Sequence, residues 1–282
     1  VACFVHDISA HQRAAQILAQ RAEALARSNQ ELENFANIAS HDLRAPLRGI
    51  GQLASWLEED LGPALSDRGR DYLNKMRSRI KRMDRLLQDL LAYARISIDD
   101  ESQWERTDVG TLARDAFEMA APKAGLQLPL GAGLPVRNTL RVPLEQVLRN
   151  LIGNAVKHHD REQGIVRISA RHQDGYFHIT VGDDGPGIRP ELHEKAFGMF
   201  QTLRPRDEAE GSGMGLATVR KMVGLYGGEV SLHSDGVRGT AVCFSWPDEA
   251  KMRDVLTGHP HPVAAITSPP PAQQYLPGTR NA

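Results

Sequence analysis

At 282 residues, with 41% hydrophobic and 24% charged side chains, the chain has room for about two globular domains with cores of their own. Its 34 lysines and arginines stand against 35 acidic residues, and the resulting net charge of −1 gives no electrostatic basis for nucleic acid or an acidic membrane as a partner. No apolar run approaches the roughly 18 residues of a membrane span, and no secretory signal is present. The first residue is Val1, so the sequence reads as a piece of a longer protein; Cys3 and Cys243 lack metal-ligand spacing and read as reduced thiols in cytoplasm.

Residues 1–9 have strand-like composition, and their close, Asp7-Ile8-Ser9, resembles the end of a PAS sensory domain too short to fold alone. Ser9-Ala-His-Gln12 has the form of a capping box, so a helix is expected from about residue 10. Heptads follow: Leu18, Leu25, Leu32, Ala39 and Leu53 share one seven-residue spacing, and Ala15, Ala22, Asn29, Ala36, Leu43, Ile50 and Leu57 the other. Residues 10–33 therefore read as a coiled-coil signalling helix through which two chains pair. Asn29 in that apolar seam would select a parallel dimer and fix its register.

Within the same helical pattern lies Ser40-His41-Asp42-Leu43-Arg44-Ala45-Pro46-Leu47. Pro46 cannot donate to the carbonyl of Asp42, which loosens the turn holding His41. A neutral imidazole there is a competent nucleophile, and Asp42 can accept its Nδ1 proton, fix the tautomer and leave Nε2 to attack. The stretch resembles the H box of sensor histidine kinases. The resemblance makes His41 the phosphoacceptor for the γ-phosphoryl group of ATP and Asp42 its orienting base, and it requires an ATP site elsewhere in the chain.

Gly62-Pro63 breaks the helix, and a second is expected near Ser66 or Asp67. Leu73, Ile80, Leu87 and Ala94, with Met76, Met83 and Leu90, give it a heptad of its own, antiparallel to the first. Residues 34–98 thus read as a helical hairpin forming a dimeric four-helix bundle. From about Gln103 the period changes. Helices are expected over Thr107 to Ala121, Leu144 to His158 and Leu216 to Leu225, and an extended piece over Leu126 to Leu134. A hairpin of Ile165 to Arg171 with Tyr176 to Gly182 turns at Asp174-Gly175, and strands run over Glu229 to His233 and Thr240 to Trp246. Residues 103–249 form an α+β domain by this reading. A short charged helix past Pro247 leads into residues 250–282, a Pro-rich tail or linker expected to be disordered.

Three motifs in this domain each fit part of a nucleotide. Asn150-Leu-Ile-Gly-Asn154-Ala-Val-Lys157 places two asparagines and a lysine on one helical face, where an asparagine carbonyl suits Mg2+ and the lysine suits phosphate. Asp183-Asp-Gly185-Pro-Gly187 follows a strand; a buried carboxylate accepting from the adenine amino group selects against guanine, which presents a carbonyl there. Gly211-Ser-Gly213-Met-Gly215-Leu216 opens a helix whose amides can meet phosphate. These resemble the N, G1 and G2 boxes of the histidine kinase catalytic domain, an α+β sandwich ATP-binding fold of the histidine kinase/gyrase type, with Phe197 and Phe200 at the F box. The resemblance implies ATP and Mg2+ as cofactors, Asn150 as metal ligand, and Asn154 and Lys157 on phosphate. It also implies Asp183, Gly185 and Gly187 around adenine, Gly211, Gly213, Gly215 and Leu216 at the phosphates, and Gly239-Thr240 beside adenine. Arg189 to Glu210 reads as a lid hinged at Gly211 to Gly215.

The match spans residues 30 to 246, with two departures. Gln146 stands where many members have glutamate, which shifts base assistance onto Asp42. Ala45 stands where members that dephosphorylate their regulator carry threonine or asparagine, so phosphatase activity is expected to be weak. The resulting reading is a cytoplasmic homodimeric kinase core, downstream of a sensory domain, that transfers phosphate from His41 to a response regulator receiver domain. An ATP-gated conformational ATPase of the gyrase or mismatch-repair type, and a scaffold with a vestigial site, are the rival readings.

Overall fold

A computed structural model of the chain describes residues 16, 20, 27, 38, 40, 42–97, 104–202 and 211–257. The PAS-like end, nearly all of the signalling helix including Asn29, His41 itself and residues 258–282 of the expected tail lie outside the described residues. The chain divides into two compact units between Arg95 and Ile96.

In the first unit, helix α1 runs through residues 42–61 without a break at Pro46. Gly62 takes a φ of +42°, which permits the turn into a 3₁₀ segment, Gly62–Ala64. Helix α2, Asp67–Ala94, then starts where Ser66 accepts from the backbone N–H of Gly69 at 3.1 Å, so the expected start is correct. Ser40, Leu47 and Ala54 are buried at seven-residue spacing, with Leu73 and Ala94 on α2. A Cβ at Gly51 would meet Ile80 at 3.9 Å, and Arg44 binds Asp84 at 3.2 Å. Glu58 pairs with Arg77, which also donates to the carbonyl of Ala54. The stripe that joins the two helices of one chain is therefore Ser40, Arg44, Leu47, Gly51, Ala54 and Glu58. The heptad seam read from the sequence is a different stripe: Leu43, Ile50, Leu53 and Leu57 are 45–60% exposed in the single chain.

The second unit holds two sheets. Strands β1, Trp104–Asp108, and β3, Val136–Leu140, pair antiparallel. The five-stranded sheet has the order β2-β4-β5-β7-β6, with β2 (Gly125–Gln127) parallel to β4 (Gln163–Gln173) and the remaining pairs antiparallel, among β5 (Tyr176–Pro186), β6 (Val230–His233) and β7 (Arg238–Pro247). Helices α3 (Val109–Met119), α4 (Arg141–His158) and α6 (Gly215–Leu225) form its helical layer, with the four-residue α5, His193–Ala196, preceding α6. Val166, Ile168, Ile179 and Phe244 lie on one face of that sheet and are 0–1% exposed, as are Leu148 and Ile152 of α4. Trp246 adds a tie, donating through Nε1 to Thr139 of β3 at 2.9 Å.

Several expectations need correction. The helix expected from Thr107 begins at Val109, because Asp108 is its cap, accepting from Gly110 at 2.8 Å and Thr111 at 3.3 Å, and Trp104–Asp108 is a strand. Strand β3 has no counterpart in the sequence reading; Val-Arg-Asn-Thr-Leu lacks alternation and is a strand because β1 pairs with it. Of the extended piece Leu126 to Leu134, only Gly125–Gln127 is a strand, with one further bridge from Leu130 to Ile168. Helix α4 starts three residues before the expected Leu144, since Pro143 sits in its first turn, where its missing N–H costs nothing. The hairpin is placed as expected, with Asp174 and Gly175 both at positive φ. The tail expected from residue 250 is corrected over its first turns. Helix α7, Glu249–Leu256, is capped by Asp248 and buries Met252 fully, so it belongs to the domain.

Candidate nucleotide and phosphoacceptor site

Helix α4 carries Asn150, Asn154 and Lys157 one turn apart, and the structure brings them against the glycine segment before α6. A Cβ at Gly215 would stand 3.2 Å from Asn154 Nδ2 and 3.3 Å from Asn150 Oδ1. A side chain there would crowd both amides, which glycine leaves accessible. Gly211, at φ +126°, lies against Lys157 Nζ, and Gly213, at φ +72°, packs on the backbone of Gln201. The first residue of α6 is Gly215, followed by Leu216, and its cap residue Met214 contributes no side-chain acceptor to the first-turn amides. Those amides form a positive helix end with Lys157 beside it, an arrangement suited to phosphate.

The amide of Asn150 donates to the carbonyl of Gln146 at 2.9 Å, which orients its side-chain oxygen away from that carbonyl and toward Gly215. Among the described residues no group of three His, Cys, Asp or Glu side chains is placed to hold a metal. A single amide oxygen completed by phosphate oxygens and water is a donor set that Mg2+ accepts, so Asn150 fits the ion. Gln146 also lines, with Val142, Glu145, Arg149 and Asn150, a cavity of about 400 Å³ on α4.

Asp183 lies on the central strand β5, paired with Val166 on one side and Thr240 on the other. Its Oδ1 accepts from the backbone of Gly185 at 2.9 Å. Burial drives its pKa up to about 7, against opposing contributions from the Gly185 amide and from His159. A carboxylate this desolvated, with acceptor capacity beyond the Gly185 amide, can accept a further donor. Gly187 is pressed against Ser234, Gly236 and Val237, and Ser234 accepts from Ile188 and donates to the carbonyl of Gly239, so the glycine turn is stitched to the β6–β7 connection. Thr240 is buried there, its hydroxyl 3.4 Å from the carbonyl of Pro186.

Phe197 is 6% exposed, and the guanidinium of Arg220 lies 4.4 Å from its ring centroid, joining the start of the expected lid to α6. Phe200 is 40% exposed, at φ +58°. In the first unit, Asp42, Ala45 and Pro46 are exposed on α1, and Ser40 is fully buried. The structure thus brings Asn150, Asn154 and Lys157 together with Gly211 and Gly215, and sets Gly185 and Thr240 beside Asp183. Sequence reasoning missed His159, Arg220 and Arg238; the doubled Asp183-Asp184 was the available signal for a buried partner behind the first carboxylate.

This sheet order, with an asparagine-bearing helix facing a glycine-opened one, defines an ATP-binding catalytic domain. Residues 139–250 match the family described as histidine kinase-, DNA gyrase B-, and HSP90-like ATPase, and residues 31–97 match the His Kinase A (phospho-acceptor) domain. The aerobic respiration control sensor protein ArcB homolog of Haemophilus influenzae is 32% identical over 230 residues, covering 79% of this chain and 69% of that protein. The phytochrome-like protein Cph1 of Synechocystis is 33% identical over 83% of this chain and 32% of its own length. The crystal structure of full-length ShkA in complex with AMPPNP matches with a TM-score of 0.58 at 28% identity, over 77% of this chain and 46% of that one. The chain belongs to the sensor histidine kinases, with a phosphoacceptor hairpin followed by the catalytic domain. It spans between 27% and 32% of the length of the first curated relatives it matches.

Proposed function

We propose that this chain is a kinase core that transfers the γ-phosphoryl group of ATP to His41 and from there to an aspartate on a response regulator. The observation that carries this reading is the meeting of Asn150, Asn154 and Lys157 with Gly211 and Gly215. Two motifs 61 residues apart, counted from Asn150 to Gly211, converge there on one anion-binding helix end.

Asp183 would accept from the adenine amino group, with Gly185, Gly187 and Thr240 shaping the base pocket. Lys157, Asn154 and the amides around Gly213, Gly215 and Leu216 would hold the phosphates. Asn150 would hold Mg2+, which supplies charge neutralisation at the phosphate oxygens when bound. Phosphoryl transfer needs in-line placement more than covalent help, so the work of the protein is positioning. Nε2 of His41 forms the new bond to phosphorus, the bond to the bridging oxygen breaks with its electron pair leaving on ADP, and the Nδ1 proton passes to Asp42. Gln146, an amide, accepts no proton from the imidazole, so that role falls to Asp42.

Homodimerisation is supported by the exposed seam of Leu43, Ile50, Leu53 and Leu57, and the use of ATP favours the cytoplasm as the compartment in which this part of the protein works. No described helix is long and apolar enough to cross a membrane. The test is γ-labelled ATP: an acid-labile label on the protein is expected, and its persistence in His41→Gln would reject the assignment. Ala45 is exposed on α1 without a polar group to position water, so regulator dephosphorylation without nucleotide should be weak. Robust bundle-dependent phosphatase activity would overturn that second expectation.

A further inference from the structure

Nothing in the reaction above uses Asp184, which occupies the variable place of the Asp-x-Gly pattern. Its Oδ1 accepts from His159 Nε2 at 2.9 Å and from the backbone N–H of Ile165 at 2.7 Å. The imidazole side chain is 0% exposed. Nε2 faces a carboxylate and so carries a proton, and Nδ1 rests against the backbone of Arg161. A histidine enclosed at the end of the helix that bears Asn150 and Asn154, with both nitrogens engaged, is a built feature of the domain.

Its neighbours tie it to the adenine acceptor. A Cβ at Gly185 would stand 2.9 Å from Asp183 Oδ1 and 3.4 Å from His159 Cδ2. The imidazole edge therefore borders the residue whose N–H donates to Asp183. On the other side a Cβ at Gly164 would fall onto the imidazole and stand 2.8 Å from Asp184 Oδ1, so β4 admits the ring only because it carries glycine there. Arg238 closes the cluster, donating to the carbonyl of Asp184 through Nη2 and to Asp160 through Nη1 at 2.7 Å.

We propose that His159 and Asp184 brace the Asp183–Gly185 turn from behind and are positioning residues for purine selection. The inference rests on the reading of Asp183 as the acceptor for the adenine amino group. A hydrogen bond weakens steeply as its acceptor moves out of line, whereas triphosphate contacts are made elsewhere, at Lys157 and the α6 amides. Loosening the brace therefore removes the preference for adenine and leaves phosphate binding in place.

The experiment measures ATP and GTP affinities, each with Mg2+, by displacement of a fluorescent nucleotide, together with thermal melts and autophosphorylation kinetics. His159→Phe, which preserves ring volume, and Asp184→Leu are each expected to weaken ATP about tenfold, roughly the worth of one hydrogen bond, and GTP less than about twofold. KM for ATP rises accordingly, with kcat at saturation held. Asp184→Asn keeps an acceptor oxygen for His159 and Ile165 and should retain the ATP to GTP ratio within about twofold. His159→Gln serves if the phenylalanine variant does not fold. Equal weakening of both nucleotides with a lowered Tm would mean packing alone and would overturn the proposal, as would an unchanged ratio in both variants. Asp183→Asn separates the two ways of failing: if it leaves the ratio intact, the reading of Asp183 fails and the brace with it. If it collapses the ratio while His159→Phe and Asp184→Leu do not, the brace alone fails.

Discussion

The two units solve the burial of apolar surface in opposite ways. In the catalytic unit Leu148, Ile152, Val166, Ile168, Val219, Val223, Phe244 and Met252 are 0% exposed, each enclosed by residues of the same unit's sheets and helices. In the hairpin, Leu47, Ala54, Leu73 and Ala94 are the apolar residues of α1 and α2 that are buried, while Leu43, Ile50, Leu53, Leu57, Met76 and Met83 stand 41–60% exposed. Two antiparallel helices can cover only one stripe of each other, and here that stripe includes the Glu58–Arg77 and Arg44–Asp84 ion pairs. The remaining stripes are the half of a four-helix core that a second copy would complete in the proposed homodimer. One unit is complete as a single chain; the other is specified to be incomplete.

The comparison breaks most visibly if the seam is charged. Ile50→Asp with Leu57→Asp would bury two carboxylates in the assembled bundle, so self-association should weaken at least about 100-fold. Sedimentation should show monomer, while nucleotide affinity of the self-sufficient unit stays within about twofold. Loss of nucleotide binding in that variant would show the two units to be less independent than their burial implies.

A second expectation sharpens the chemistry of the catalytic unit. With its pKa pushed up to about 7 by burial, Asp183 is protonated in acid and ionised in mild base. Adenine binding requires the ionised acceptor, so ATP affinity should fall about tenfold per pH unit below about pH 7 and level off above it. Asp183→Asn should weaken ATP about 100-fold and abolish that pH dependence. Folding responds with the opposite sign: a raised acidic pKa favours the folded state at low pH, and the advantage is lost as pH rises from about 4 through about 7. The ligand-free Asn variant should therefore gain Tm relative to the parent over that window. A flat binding profile between pH 6 and 8 would contradict the burial of this carboxylate.

The smallest effect belongs to Gly213→Ala. At φ +72° an alanine is strained, and its Cβ would stand 2.5 Å from the carbonyl oxygen of Gln201, for a cost of about 1–3 kcal/mol. A lowered Tm of the catalytic unit with unchanged dimerisation is expected; an unaltered melt would show the glycine segment free to rearrange.

Much of this molecule is local and therefore legible in its amino acids. Gly62-Pro63 and Ser66 place the hairpin turn, Asp174-Gly175 places the β4–β5 turn, and the heptads name an apolar face. The order of the His41, Asn150, Asp183 and Gly211 motifs names the family, because each motif encodes a backbone shape or a ligand contact within a few residues. What escaped reading depends on partners distant in sequence. Val136–Leu140 is a strand only because Trp104–Asp108 lies beside it, and Glu249–Leu256 is domain and not tail because Met252 finds a pocket to fill.

By itself, then, the sequence determined the elements that turns, caps and heptads specify, and the chemical groups available for phosphoryl transfer. Tertiary structure alone decided which helical stripe faces the sister helix and which faces outward, and that Gly215 leaves the amides of Asn150 and Asn154 uncovered. It also decided that a histidine with no motif of its own stands behind Asp183. The physical reason is range: a cap or a turn is satisfied within four residues, whereas burial and the pKa of a carboxylate are fixed by whatever the fold places around it.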